Sequence, residues 1–228
     1  MNFVNCLMQM NNNKNTNYKN IIWDWNGTLL DDVQLCNDII NIQLVKRSLP
    51  AISLKTYREI FTFPVKDYYI KAGFDFKDES FEKIGKDFID EYEIRKTNCS
   101  LFPNTMEILS RIKLMNIKQY LLSAYKHDTL EVLVKHFKLS NYFKSINGLD
   151  HIYADGKLEL GKRLMQEIKE HDKEGKTLLI GDTVHDYEVA SEIGADCVLI
   201  STGHQDESKL RALDIPILNN IKEVLKLL

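Results

Sequence analysis

The run Ile21-Ile22-Trp23 stops abruptly at Asp24, and Gly27 follows three residues later. An unbroken apolar run of this length has no solvent-facing side. It therefore predicts a strand over Lys19 to Trp23 buried on both faces, as in the interior of a parallel sheet. Asp24 would then stand just past the strand's carboxyl end. Gly27 lets the backbone turn sharply there.

The rest of the chain fits this start. From about residue 100 onward, apolar runs and helical patterns alternate. Pro103-Asn104 opens a helix to about Met115, with Asn104 as its N-cap. A strand over Ile117 to Leu122 ends at Ser123, and a helix follows over Lys126 to Phe137. A short strand lies near Phe143 to Ile146, and a helix over Leu158 to Glu170. Next come a strand over Thr177 to Ile180 ending at Gly181-Asp182, a helix over Asp186 to Ile193 closed by Gly194, and a strand over Cys197 to Ile200. Ile215 to Leu218 is expected at the sheet edge, and residues 220–228 as a last helix. Residues 32–97 differ: Val33, Cys36, Ile39, Ile40 and Leu44 recur at helical spacing, and further helical stretches cover Leu54 to Ala72 and Asp78 to Arg95. The expected fold is α/β, a Rossmann-like parallel sheet with helices on both faces, carrying a small all-helical cap. Residues 19–31 and 98–228 form the core, 32–97 the inserted cap, and 1–18 a frayed extension.

In such sheets, reactive groups gather at the carboxyl ends of the strands. Asp24, Ser123 and Asp182 are all expected there. A carboxylate at Asp24 can attack phosphorus, while Gly27, Thr28 and the loop amides hold phosphate oxygens. Gly181-Asp182-Thr183-Val184-His185-Asp186 sets two carboxylates about one helical turn apart. With Asp24 they make an all-oxygen cluster suited to Mg²⁺. Ser123 can donate to a phosphoryl oxygen, and Lys157 or Lys162 supplies positive charge, Lys157 having the better spacing.

Together these pieces resemble the haloacid dehalogenase superfamily over about residues 19–205. Its D-x-D-G-T motif is matched by Asp24-Trp25-Asn26-Gly27-Thr28, its strand-end Ser or Thr by Ser123, its lysine by Lys157, and its G-D-x-x-x-D by Gly181, Asp182 and Asp186. The insert resembles the family's C1 cap, and the whole is similar to phosphoglycolate phosphatases. The resemblance implies a Mg²⁺-dependent phosphatase acting through an aspartyl-phosphate on Asp24. Asp24, the Asn26 carbonyl, Asp182 and Asp186 would hold the metal. Asn26, Ser123 and Lys157 would be catalytic, and Gly27, Thr28, Ser123 and Lys157 would bind substrate. One departure stands out. Asn26 replaces the family's acid/base Asp, and an amide cannot exchange a proton at neutral pH. Three expectations follow: a substrate with a good leaving group, a proton from His127, His185 or a cap residue, or a weakened enzyme that persists as a phosphate- and metal-binding protein. A phosphomutase would share the fold.

Composition narrows the partners. A net charge of -3 over 228 residues offers no basic field for nucleic acid. No apolar run approaches the ~20 residues needed to span a bilayer. Cys6, Cys36, Cys99 and Cys197 are scattered and expected as free thiols in a cytoplasmic protein. A small phosphorylated metabolite is the expected partner; the oligomeric state is not legible. Tyr57, Phe61, Phe63, Tyr68 and Tyr69 are expected as the cap's own core, and Arg58 or Lys66 as groups that could reach a substrate.

Overall fold

The computed structural model describes residues 18–150, 156–172 and 174–228. The first strand, β1 (Tyr18–Trp23), begins one residue before the expected start, and the rest of the N-terminal extension lies outside the described residues. Strands β4 (Lys118–Lys126), β5 (Ile146–Leu149), β6 (Lys176–Gly181), β7 (Asp196–Ile200) and β8 (Ile217–Leu218) join it in one sheet. The order is β5-β4-β1-β6-β7-β8, and every pairing is parallel. β1 is therefore central, which explains its unbroken apolar run.

Side chains alternate between two cores, as a period of two requires. Ile21 and Trp23 point to one face with Leu121, Ile180 and Val198, under α5 (Thr105–Leu114) and α6 (His127–His136). Ile22 points to the other with Leu122 and Leu179, under α7 (Lys157–His171) and α8 (Val184–Ile193). Gly194, at φ 73°, closes α8 in the left-handed conformation.

Between β1 and α5 lie α1 (Val33–Lys46), α2 (Leu54–Ile60), α3 (Val65–Ala72) and α4 (Phe81–Arg95). They share a separate core of Val33, Ile39, Ile40, Leu44, Tyr57, Tyr69 and Ile84. The helical insert thus meets the sequence expectation, with its middle stretch split in two. Two short strands missed by the sequence reading, β2 (Leu30–Asp31) and β3 (Ser100–Leu101), pair antiparallel where the insert leaves and rejoins the core.

Several local expectations need correction. β4 continues past Ser123 to Lys126, with a register irregularity after Leu122, so Ser123 lies within the strand. β5 starts at Ile146 rather than ending there. Asn104 adopts φ 72° and makes no side-chain cap; Thr105 Oγ1 instead donates to the Phe102 carbonyl at 2.8 Å. The C-terminal segment Ile221–Lys226 is 3₁₀ rather than α-helical, and a short helix, α9 (Glu207–Leu210), was not anticipated.

Candidate active site

β1 and β6 are neighbours, so their carboxyl ends deliver Asp24 and Asp182 side by side. The Asp24 amide itself donates to the Ile180 carbonyl at 2.9 Å, continuing the strand pairing into the site. Thr28 Oγ1 lies 3.3 Å from Asp24 Oδ2 and 3.1 Å from Asp182 Oδ1, holding the two carboxylates in register. The Gly27 amide donates to Asp32 Oδ1 and to the Leu30 carbonyl, both at 3.0 Å. Its φ is 72°, and a Cβ there would fall 2.4 Å from Asp182 Oδ2, so both conformation and space require glycine.

Lys157, the first residue of α7, is buried. Its Nζ donates to Asp24 Oδ1 at 2.5 Å and Asp186 Oδ1 at 2.6 Å. Lys162 is on the outer surface with Glu159, which decides between the two candidate lysines. Asp186 is heavily committed. Its Oδ2 accepts from the Asp182 amide at 3.2 Å, the Thr183 amide at 3.0 Å and Thr183 Oγ1 at 2.6 Å, closing a capping box on α8. Ser123 is buried and lines the cavity beside these groups.

Charge at this point is unbalanced. Asp24, Asp182 and Asp186 are all buried, each offering an oxygen within 4.8 Å of the others', and Lys157 is the cation bonded to two of them. Burial pushes Asp24 and Asp182 above the usual carboxylate range. Burial also acts on Asp186, but the Lys157 ammonium outweighs it and holds that carboxyl below its ordinary value. An all-oxygen donor set with surplus negative charge fits a hard divalent cation.

A second buried network adjoins the first. The Asn26 Nδ2 donates to Asp32 Oδ2 at 2.7 Å and to the Tyr92 hydroxyl at 2.8 Å. Tyr92 in turn donates to Asp32 Oδ2 at 2.8 Å. His204 Nε2 lies 3.2 Å from Asp32 Oδ1, and Tyr57 Oη lies 2.8 Å from His204 Nδ1. Burial alone would lower the His204 pKa, but the Asp32 carboxylate overrides it and raises it to about 9. Asp32 is lowered despite its burial, chiefly by His204. Neither residue was singled out from the sequence. Asp32 precedes α1, and its side chain makes no capping bond to that helix.

This network joins cap to core. Arg58 donates to the Gly203 and Thr202 carbonyls, both at 3.0 Å, and so points away from substrate, contrary to expectation. Lys66 lies over the Phe76 ring. Between cap and core is a cavity of about 370 Å³, with Asp24, Ser123, Lys157 and Asp182 at one end. Tyr57, Phe61, Phe63, Tyr68 and Tyr69 line it, so the expected cap core is also a cavity wall. His185 lines it too, with its ring 4.8 Å from that of Phe63, whereas His127 does not. Cys36, Cys99 and Cys197 are free thiols; Cys6 lies outside the described residues.

The family model for haloacid dehalogenase-like hydrolases matches residues 21–200, and the chain belongs to that family. Similar proteins include a 5'-nucleotidase of Pseudomonas aeruginosa, 24% identical over 205 residues, covering 86% of this chain and 88% of the relative. Another is a phosphoglycolate phosphatase of Caulobacter vibrioides, 25% identical over 193 residues, covering 82% of this chain and 81% of the relative. Among solved structures, a haloacid dehalogenase-like family hydrolase from Streptococcus pneumoniae superposes with a TM-score of 0.78 at 20% identity, over 93% of this chain and 99% of that one. Protein tyrosine kinase A of Mycobacterium tuberculosis gives 0.73 at 19%, over 92% and 97%. At these identities the two superpositions speak for the fold.

Proposed function

We propose that this hydrolase is a Mg²⁺-dependent phosphatase of small cytosolic phosphate compounds, with Asp24 as nucleophile. The observation that carries the reading is the convergence of Asp24, Ser123, Lys157 and Asp182 at one end of the cavity. The two relatives reported above, a 5'-nucleotidase and a phosphoglycolate phosphatase, support this reading.

Asp24 Oδ forms a bond to phosphorus as the bond to the leaving oxygen breaks. Water then attacks the aspartyl-phosphate, releasing inorganic phosphate and regenerating the carboxylate. Lys157 holds Asp24 in place and supplies positive charge at the phosphoryl group. Ser123 donates to a phosphoryl oxygen. Asp24 and Asp182 would hold the cation with the Asn26 carbonyl, while Asp186, spent on Lys157 and its helix cap, acts directly or through water. When bound, Mg²⁺ neutralises the carboxylates and the phosphate so that two anions can meet. Enclosure under the cap suits a small molecule and excludes a macromolecular substrate such as nucleic acid.

Turnover of a phosphate-compound panel with Mg²⁺ tests this. Activity unchanged in Asp24→Ala, or in EDTA, would overturn it. A second reading, a catalytically impaired phosphate- and metal-binding protein, is favoured by Asn26, whose amide is spent on Asp32 and Tyr92. Binding of phosphate and Mg²⁺ without turnover of any panel member would decide for it. An isomerised product in place of inorganic phosphate would point to a phosphomutase. Among the described residues, no helix is long and apolar enough to cross a membrane.

A further inference from the structure

The cap side of the cavity is lined by rings. Phe61, Phe63, Tyr68, Phe81, Phe88 and Tyr92 all line it. They lean on one another: Phe61 and Phe63 meet edge to face at 5.7 Å, and the Phe61 and Tyr68 centroids are 5.2 Å apart. Rings offer few partners to a polyhydroxylated body, whose hydroxyls would be buried against them without hydrogen bonds. An anionic body fares worse, because Glu82 and Glu93 also line the cavity. The lysines among the described lining residues are Lys157, already held by Asp24 and Asp186, and Lys126, which lies 4.0 Å from Asp128, while the His204 imidazole is paired with Asp32. The Tyr68 hydroxyl is buried without a hydrogen-bond partner. A flat apolar ring suits this lining, and a volume of about 370 Å³ holds one or two fused rings.

Asn26 points the same way independently. Its amide cannot protonate a leaving oxygen. An alcohol leaving group, near the pKa of about 16 that water has, needs that proton. A phenolic oxygen, with a pKa of about 10, departs as its own anion.

Resting on the phosphatase reading, we infer that the substrate is an aryl phosphate, a phosphate monoester of a phenolic oxygen, whose ring lies against the cap's aromatic wall. The P–O(aryl) bond breaks with its electron pair passing to the phenolate as Asp24 Oδ bonds to phosphorus. Water cleaves the aspartyl-phosphate. One of its protons stays with phosphate and the other reaches the phenolate through solvent, so aryl phosphate plus water gives phenol plus phosphate.

The test compares kcat/KM, with Mg²⁺, for phenyl and 2-naphthyl phosphates against phosphoglycolate, a hexose phosphate, a nucleoside monophosphate and acetyl phosphate. Acetyl phosphate is small and activated and carries no ring, so it separates leaving-group chemistry from ring recognition. The expected result is at least 100-fold preference for the aryl esters over the alkyl esters, with 2-naphthyl phosphate at a lower KM than acetyl phosphate. Phe88→Ala should shrink the naphthyl-to-acetyl ratio at least tenfold. Good turnover of acetyl phosphate without ring preference, or an alkyl ester as best substrate, overturns the inference and leaves the phosphatase reading standing. No turnover of any compound overturns both.

Discussion

Asn26 donates its side-chain amide to the Asp32 carboxylate at 2.7 Å, so the carboxylate expected at position 26 has a counterpart six residues along the chain. Asn26→Asp would set a second, half-buried carboxylate against the buried Asp32 and remove the donor to Tyr92. The expected effect is a loss of roughly 2–4 kcal/mol, with turnover falling rather than rising. The double change N26D with D32N returns one carboxylate and one amide to the pair and should recover most of the loss. Urea denaturation of the four chains in a double-mutant cycle measures the coupling.

That pairing also marks the limit of what the sequence reveals. Asp24 and Asp182 are legible because each sits where an apolar strand ends, and Lys157 because of its spacing ahead of the Asp182 strand. The central place of β1 follows from its unbroken apolar run. Asp32 and His204 are 172 positions apart and share no period, so only the fold brings them together. The one available signal was Asn26 itself, a change that calls for a compensating carboxylate nearby. Ser123 was identified but given the wrong local setting, since the irregularity in β4 leaves no mark in an apolar pattern. Arg58 was named for a substrate it does not face, because spacing along a helix says nothing of which loop lies opposite.

Asp24→Asn should leave the fold intact and lower phosphatase turnover at least ~10³-fold, because the amide cannot attack phosphorus. Steady-state kinetics with circular dichroism of the same sample separates lost chemistry from lost structure.

Lys157→Met would leave Asp24 and Asp186 buried without their shared cation. A destabilisation of about 3–5 kcal/mol is expected from removing one partner of a buried ion pair. Chemical denaturation reads it directly, and turnover should vanish in parallel.

Mg²⁺ should raise the melting temperature of the wild-type chain. Saturation at 100 times Kd corresponds to about 2.7 kcal/mol of added stability. In Asp182→Asn the shift should be largely lost, and EDTA should abolish both the shift and the activity. Calorimetric scans with and without the metal provide the measurement.

Arg58→Ala removes both bonds to the Thr202 and Gly203 carbonyls. About 1–3 kcal/mol of local stability should disappear. Faster amide exchange over residues 54–72, with the sheet unaffected, is the expected signature.

The Arg58 contacts carry a design corollary. Arg58 grips Thr202 and Gly203, the His204 amide donates to Asp182 Oδ2 at 2.7 Å, and a Cβ at Gly203 would fall 2.1 Å from that same oxygen. The cap therefore reaches the Asp182 carboxylate through a loop on the far side of the sequence. A chimaera that imports a foreign cap while keeping residues 202–205 inherits a mismatched grip on Asp182. Cap and loop therefore belong together as one module in any redesign of the cap.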